Sequence, residues 1–493
     1  MRKLFLTLMV AVGSCFMATA QGIDVTHFMR ISPFQHNDLP SCSTIYNGYV
    51  SLPTGNIQAG LSLGAIRYKN LFETNEEGYP TVLTATRFVN SLSKNNRLGA
   101  NVDMELLGFG IRINERNFLT VDYRLRSNLD FKYSKDVLGF PIYGNMAYVD
   151  KPADLNMNIN LTAFHELGIS FRQEVNDKIS WGVRPKLLFG LANLNTQSLS
   201  AHIYTDSTDY SITMDYYAAL RAAAIVPFSL TFNPQDGFQF DYDQDVRTIV
   251  LNAGKNLGFG LDLGFTYKPL KELSVSAGVL DLGFINWKTS AVSMSSYPKD
   301  AGDMYNNGSL TFSGLSQSEI QALINGEDIS EMLDTLAQYL PLDINPINKY
   351  FTALAPRVVF QADYEFAKYH RVSAATQFRF ASHYFQPSFT IAYDGCFFNS
   401  IDVCVAYTMQ RRSYDNLGIG LGFNLGYLNI YAGTQNIIAA FSVRNASQLT
   451  ATAGVVFNWG HYKNWREKYP KEEKSPKEGK RSKEEKKKDK DKE

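Results

Sequence analysis

Apolar and polar residues alternate strictly through many segments of the chain. The segment 154–163 alternates Leu155, Met157, Ile159 and Leu161 with Asn156, Asn158, Asn160 and Thr162. A period of two residues puts the apolar side chains on one face of an extended strand and the polar side chains on the other. About 16 such runs follow one another, and period-two patterning identifies them as strands. They begin near residues 56, 98, 117, 155, 178, 195, 210, 255, 272, 352, 370, 386, 401, 416, 427 and 449.

Short and long connections take turns between these runs. Short turns are predicted at 114–116, 173–177, 206–209, 269–271, 367–369, 397–400 and 425–426. The long connections are 69–97, 128–154, 225–254, 288–351 and 437–448, whereas three connections on the same side, 193–194, 383–385 and 411–415, are short and weaken the pattern. Outer-membrane barrels have short periplasmic turns and longer loops outside, and their tilted strands span the bilayer with about 10 residues each. The pattern therefore predicts a membrane barrel with both chain ends in the periplasm.

Charged residues on the polar faces favour this barrel over a soluble β-sandwich. Like charges stand two residues apart on the same face, as in Arg124 with Arg126 and Asp363 with Glu365. A dry core would make such neighbours costly, whereas a hydrated lumen removes that cost. We predict an all-β fold, a transmembrane antiparallel β-barrel of 14–16 strands over residues 56–459. The predicted lumen-lining residues are Arg124, Arg126, Asn156, Asn158, Asn160, Arg184, Lys186, Asp363 and Glu365.

The first residues indicate export. Arg2 and Lys3 precede an apolar run, and Ala18-Thr19-Ala20 then forms a small-x-small cleavage site. We predict a signal peptide over residues 1–20; a lipoprotein signal with Cys15 as the lipidated residue is the alternative. Residues 21–55 are then an N-terminal segment in the lumen or the periplasm. The predicted location is the outer membrane of a Gram-negative bacterium, with membrane lipid as a partner.

The last residues differ sharply in composition from the rest. Lys plus Arg and Asp plus Glu each number 48 in the whole chain, but residues 463–493 hold 14 basic against 9 acidic residues. Such a segment cannot bury enough apolar surface to fold, so 460–493 is predicted to be a disordered Lys/Glu-rich periplasmic tail. It could bind an anionic periplasmic partner or only improve solubility. With one Tyr and two Arg, it does not fit nucleic-acid binding.

Cysteines and histidines offer little chemistry. Cys396 and Cys404 share the inward phase on either side of a predicted turn, so a disulfide between them is one option and free thiols are the other. No zinc-binding spacing links the cysteines and histidines. The seven histidines are scattered and form no catalytic pattern with Ser or Asp. We therefore predict neither enzymatic activity nor a cofactor.

Two further patterns bear on the lumen. Gly418, Gly420 and Gly422 recur with a period of two, which removes side chains from the inner face and makes room for a plug or a ligand, or relieves crowding where the strand bends. The long connection 288–351 contains two predicted helices, over 316–326 and 329–340. These helices could cover the outer mouth, enter the lumen, contact a partner or pack within their own loop.

Several short motifs resemble a known group of proteins. They are V-S-L-P at 50–53, L-L-G-F-G-I-R-I at 106–113, I-Y-G-N at 142–145, D-L-G-F-I-N-W at 281–287 and L-N-I-Y-A-G-T-Q-N at 428–436. From about residue 43 to residue 459 the chain resembles a Bacteroidota outer-membrane barrel family of unknown function, which is distantly similar to long-chain fatty-acid transporter barrels. The chain departs from the family's Asn-Pro-Ala start, with Leu39-Pro40-Ser41-Cys42 instead. The resemblance implies architecture and location, and no catalytic residues.

Two functions fit these observations. The first is a channel or facilitator for uptake of a small molecule, hydrophobic molecules included. The second is a non-transporting scaffold of an envelope assembly, which would use the loop helices or the tail as its contact surfaces.

Overall fold

The computed structural model describes the barrel and the segment that precedes it. The described residues are 22–42, 44–53, 55–64, 66–74, 80–82, 85–208, 212–226, 228–233, 237–242, 246–296, 309–312, 343–381, 384–398, 400–410, 413–441 and 448–461. The predicted signal peptide, both predicted loop helices and the tail after residue 461 lie outside them.

Fourteen strands within this part of the chain form the barrel. They are β1 (Tyr46–Ser51 and Asn56–Ser62), β2 (Asn95–Arg112), β3 (Asn117–Ser134), β4 (Met157–Glu174), β5 (Ile179–Thr205), β6 (Leu257–Tyr267), β7 (Leu273–Trp287), β8 (Arg357–Ala367), β9 (His370–Ala381), β10 (Tyr384–Phe397), β11 (Ile401–Gln410), β12 (Ser413–Asn424), β13 (Leu428–Thr434) and β14 (Gln448–His461). Each pairs antiparallel with its neighbours in chain order.

The barrel closes between its first and last strands. Gly48 of β1 pairs with Trp459 of β14, and Ile57 in the second segment of β1 pairs with Ala453. Both segments of β1 pair with β2 on their other side. This closure leaves no barrel edge, as a membrane-spanning sheet requires. The predicted fold class is confirmed, with fourteen strands.

The barrel has two strands fewer than the number of alternating runs, because two runs form one strand and a third run lies beyond the barrel. The runs near 178 and 195 are the two halves of β5, which has 27 residues and no break at 193–194. The run near 210 is the strand Ile212–Ala224, which pairs with the second half of β5, while β6 pairs with the first half. The predicted short turn at 206–209 was therefore placed at the wrong end of the barrel. Alternation alone does not show where a strand leaves the membrane.

The described residues also form shorter strands and helices in addition to the barrel strands. The remaining strands are Phe72–Thr74, Pro80–Val82, Ala153–Asp154, Ile212–Ala224, Phe228–Asn233, Gly237–Tyr242, Val292–Ser295, Ser309–Phe312, Asp343–Pro346 and Tyr350–Ala353. The helices are Val25–Phe28, Tyr68–Leu71, Ala85–Ser91, Asp136–Tyr143, Val246–Asn252 and Ile437–Phe441, with 3-10 helices at Pro33–Asn37 and Asn145–Tyr148. No helix in the described ranges is long and apolar enough to span a membrane. We call the end where β2 joins β3 the turn end, and the opposite end the loop end.

Large apolar side chains cover the outer face of the barrel. In β2 Leu107 and Phe109 are 55% and 41% exposed, and in β6 Phe259, Leu263 and Phe265 repeat the pattern. The polar residues between such positions point inward and are buried. An exposed apolar band of this kind is typical of the lipid-facing surface of a membrane barrel.

The segment before β1 lies inside the barrel at the turn end. We call residues 22–42 the plug. Asp24 caps the helix Val25–Phe28, and Ser32 caps the 3-10 helix Pro33–Asn37. The plug side chains of Phe28, Met29 and Leu39 are fully buried. A segment of this length has no core of its own, so the barrel wall supplies it.

Inward-facing glycines make space for the plug. An added Cβ would lie 2.7 Å from the Met29 sulfur at Gly420 and 2.1 Å from the Ile31 Cδ1 at Gly422. At Gly182 it would lie 2.1 Å from the backbone oxygen of Pro40. Real Cβ atoms do not approach other atoms this closely, so a larger residue would push the plug away from these strands.

Candidate lumenal site

Polar contacts attach the plug to strands around the barrel. His27 Nε2 lies 2.8 Å from Gln361 Oε1 in β8, and Asn429 of β13 donates to the Ile31 carbonyl oxygen over 2.9 Å. Thr452 of β14 donates to the Asp24 carboxylate over 2.7 Å. These partners are spread over the circumference, so the plug is held on several sides by non-covalent contacts.

One ion pair joins the plug to the barrel wall near the middle of the lumen. Arg357 of β8 donates to the Asp38 carboxylate over 3.0 Å and to the Asp281 carboxylate over 2.9 Å. Burial opposes ionisation of Asp38, but the hydrogen bond from His27 and the charge of Arg357 outweigh it and lower the Asp38 pKa below its ordinary value of 3.8. Asp38 is therefore a charged anchor of the plug at neutral pH.

Charged side chains from seven strands meet beside the plug. We call this set the central network. Its members are Asp103, Asp122, Arg124, Arg126, Glu166, Arg184, Lys186, Asp262, Asp281 and Arg357. Opposite charges lie next to each other throughout it, which offsets the cost of taking them out of water.

Glu166 of β4 is the common partner of four cations. Its carboxylate lies 2.7 Å from Arg126, 2.8 Å from Arg184, 3.5 Å from Arg124 and 3.7 Å from Lys186. All four were predicted to line the lumen from their phase along β3 and β5, and the structure brings them together there. Glu166 itself was not predicted, although it shares the inward phase of Asn158 and Asn160 in the same strand.

Arg184 is the most enclosed cation of the network, with no exposed surface. Its guanidinium contacts Asp122 and lies 2.8 Å from Glu166 and 3.3 Å from Asp262. The space that it occupies exists because β4 carries Gly168 opposite: a Cβ there would lie 2.7 Å from the Arg184 Nε. A buried arginine with three carboxylate partners fixes the relative positions of β3, β4, β5 and β6.

Asp281 reaches the network through an irregularity in the sheet. The register between β6 and β7 shifts between Leu261 and Leu263, and Asp281 has a φ of 58°. Consequently both Leu280 and Asp281 are buried, which strict alternation does not allow. Asp281 then accepts from Arg126 and Lys186 as well as Arg357. A period-two pattern cannot reveal an inward residue that a bulge creates.

The other predicted lumen residues lie in two separate places. Asp363 accepts from Gln361 and Ser373, and Glu365 lies 3.5 Å from the plug residue Arg30, so both stand toward the turn end. Toward the loop end, Asn160 donates to Asn158, with a short contact, and accepts from Asn195 over 2.9 Å.

Asn156 precedes β4, and its backbone forms hydrogen bonds with Ser134. Its N–H donates to the Ser134 hydroxyl and its carbonyl oxygen accepts from the Ser134 N–H. The nine predicted residues therefore form one central cluster, one pair near the plug and one asparagine group near the loop end.

A disulfide between Cys396 and Cys404 needs the two residues to lie opposite each other, but Cys396 pairs with Asp402, and Cys404 pairs with Asp394. Both thiols are free, as is that of Cys42. Burial raises the pKa of the Cys42 thiol to about 12, so this thiol in the plug is protonated and unreactive at neutral pH.

A cavity lies between the plug and the loop end. Its volume is about 190 Å³. The plug provides its floor through Asp24, His27 and Asp38, and inward side chains of the strands provide its wall. Arg124, Arg126 and Arg357 line it, so the central network borders both the cavity and the plug. Within the described ranges, no group of three or more His, Cys, Asp or Glu side chains could hold a metal ion.

The chain matches one family and several solved barrels. The family of unknown function DUF5723 matches residues 40–435. A Pseudomonas aeruginosa FadL homologue is similar at 8% identity and a TM-score of 0.43, over 90% of this chain and 100% of that one. No curated protein matches the chain.

Two toluene transporters are similar as well. For TbuX of Ralstonia pickettii the identity is 9% and the TM-score 0.40, over 88% of this chain and 95% of that one. For TodX of Pseudomonas putida the identity is 8% and the TM-score 0.38, over 89% and 97%. The predicted likeness to a family of unknown function and to fatty-acid transporter barrels is confirmed, while the bacterial group stays a prediction.

Proposed function

Because this chain belongs to the family of unknown function DUF5723, we propose its function from its own geometry: a gated outer-membrane channel for uptake of a small molecule. The turn end faces the periplasm and the long connections face outside, as in other outer-membrane barrels. The solute enters the cavity from the loop end and leaves past the plug.

The observation that carries this proposal is the non-covalent attachment of the plug below a cavity. Among the described residues, the plug contacts the wall through hydrogen bonds, ion pairs and apolar packing, and no disulfide adds to its chain connection with β1. The Asp38–Arg357 pair belongs to the plug on one side and to the cavity wall on the other. A solute in the cavity can therefore change the strength of the attachment directly below it.

Arg357 also explains how the closed state is stabilised. It is shared by Asp38 and Asp281, and removal of one partner from a buried charge pair is strongly destabilising. The barrel residue Asp281 keeps Arg126 and Lys186 when Arg357 is lost, whereas Asp38 keeps only its contact with His27 among the partners described. Loss of Arg357 should thus loosen the plug more than the wall.

The test is permeability of liposomes that contain the purified full-length protein. We expect slow swelling with the unchanged protein in small neutral solutes and faster swelling with Arg357→Gln. Arg116→Gln is the matched control, because Arg116 lies exposed in the turn between β2 and β3. If neither the protein nor Arg357→Gln passes any solute faster than empty liposomes do, the channel proposal is wrong.

A further inference from the structure

The cavity wall is rich in uncharged hydrogen-bonding groups. Its amide side chains from the strands include Asn56, Gln58, Asn101, Asn128, Asn160 and Asn195. Hydrocarbon binding sites are lined predominantly by apolar side chains, because burial of an unpaired amide costs free energy. Apart from Phe34 and Phe164, no aromatic side chain in the described residues lines the cavity. The Phe164 ring is already covered by the Arg126 guanidinium, 5.4 Å from its centroid.

The charges around the cavity compensate one another. Four arginines and five aspartates line it. Arg124 is bonded to Asp103, and Arg357 to Asp38. At Arg124 and Arg357 an anionic ligand would have to displace a carboxylate, and at Asp103 and Asp38 a cationic ligand would have to displace an arginine. A neutral ligand meets neither cost.

Buried polar atoms at the cavity lack partners among the described residues. They are the Oδ1 and Nδ2 of Asn37, the Oδ1 of Asn101 and the Oε1 of Gln435. Asn37 and Gln435 are each 6% exposed. A buried polar atom that nothing pairs with destabilises the protein. These atoms include a hydrogen-bond donor as well as acceptors. A ligand that pairs with them must therefore both donate and accept hydrogen bonds.

A hydroxyl group has this property, because it donates one hydrogen bond and accepts up to two. An amide with its oxygen and nitrogen exchanged still presents a donor and an acceptor, so a hydroxyl group pairs with it in either orientation. The cavity volume of about 190 Å³ limits the ligand to a small solute.

We propose that this cavity binds a neutral, hydroxyl-rich molecule of about monosaccharide size. The inference rests on the proposed function in so far as this molecule is the solute that the channel admits. This ligand class differs from the hydrophobic molecules that were among the solutes expected from the sequence. The ligand is held between the asparagines of the wall and the plug residue Asn37.

Probes that differ in charge and polarity test which chemical class of ligand the cavity binds. Isothermal titration calorimetry of the full-length protein in detergent would use glucose and sorbitol as neutral probes. Gluconate and glucosamine add a charge of either sign, and toluene is the apolar probe. We expect glucose or sorbitol to bind, with gluconate and glucosamine weaker by at least about tenfold, the cost of one disrupted polar contact. Binding of toluene alone, equal binding of charged and neutral probes, or no binding of either neutral probe would overturn the proposal.

A variant pair tests the location. Asn101→Leu removes an unpartnered amide from the wall and should weaken binding about tenfold, whereas Asn101→Ser keeps a hydroxyl and should weaken it less. The matched control is Asn458→Leu. Asn458 is also inward-facing and 2% exposed, but it lies near the turn end and does not line the cavity. Equal effects of Asn101→Leu and Asn458→Leu would place the ligand elsewhere and overturn the proposal.

The proposed binding site and the proposed channel can be disproved separately. Neutral solutes that bind but do not cross liposomes would disprove the channel and leave the binding site. Solutes that cross the membrane without measurable binding and with no preference for hydroxyl groups would disprove the binding site and leave the channel.

Discussion

Replacement of Arg184 by Met should destabilise the barrel strongly. The side chain is fully buried and lies against Asp122, Glu166 and Asp262, none of which has exposed surface. Methionine fills a similar volume, so the main change is the loss of one positive charge among three carboxylates. Removal of one partner from a buried ion pair costs about 3–5 kcal/mol, because the remaining charge stays out of water.

Asp122 should carry most of this cost. Glu166 keeps Arg126, and Asp262 keeps Lys186 at 2.6 Å. Asp122 is left with the His36 ring of the plug, 3.7 Å away, and with the more distant charge of Arg124. A second substitution, Asp122→Asn, removes the stranded charge, so the double variant should be more stable than Arg184→Met alone.

The assay is urea unfolding of the protein refolded in detergent, followed by tryptophan fluorescence. The control is Arg116→Met, a similar change at an exposed turn, which should alter the free energy of unfolding by less than about 0.5 kcal/mol. If Arg184→Met costs no more than Arg116→Met, or if Asp122→Asn adds to its effect in full, the central network does not stabilise the barrel as we argue.

Three more outcomes follow from the structure. Gly168→Ala should lower the free energy of unfolding by about 1–3 kcal/mol, because its Cβ meets the Arg184 guanidinium; Gly254→Ala, at an exposed position with open space around it, is the steric control for urea unfolding. Ionised Asp38 should stabilise the plug above pH 3.8 and lose that effect as the pH falls toward its lower pKa; Asp38→Asn should abolish this acid dependence in limited proteolysis of residues 22–42. Leu263→Arg on the lipid face should cost about 2–4 kcal/mol in vesicles.

Each of these three predictions has a result that would contradict it. Equal stability of Gly168→Ala and the unchanged protein would mean that Arg184 does not occupy the space opposite β4. Unchanged acid dependence in Asp38→Asn would assign it to other carboxylates. Leu263→Arg without effect on insertion would place this face away from hydrocarbon.

The barrel was predictable because its physical signal is local. Outward positions such as Leu107 and Phe109 must be apolar and inward ones must tolerate water, so alternation appears in each strand separately. The length of β5 was not predictable in this way, because residues 192–205 alternate equally well when they pair with Ile212–Ala224 beyond the barrel.

The plug and the central network depend on contacts between distant parts of the chain. The inward glycines Gly420 and Gly422 indicated extra space, but nothing local showed that Met29 and Ile31 fill it. The phase of Arg184 pointed to the lumen, whereas its partners come from other strands whose register no single segment specifies. Asp281 required a bulge as well.

A closed barrel that spans the membrane turns its apolar positions to lipid and its polar positions to an occupied lumen. Spin labels at each position from 259 to 266 in β6, in protein with its native cysteines replaced, test this most directly. We predict that accessibility to oxygen dissolved in the bilayer alternates, high at 259, 261, 263 and 265 and low at 260, 262, 264 and 266. Uniformly low or non-alternating accessibility along this strand would contradict the account.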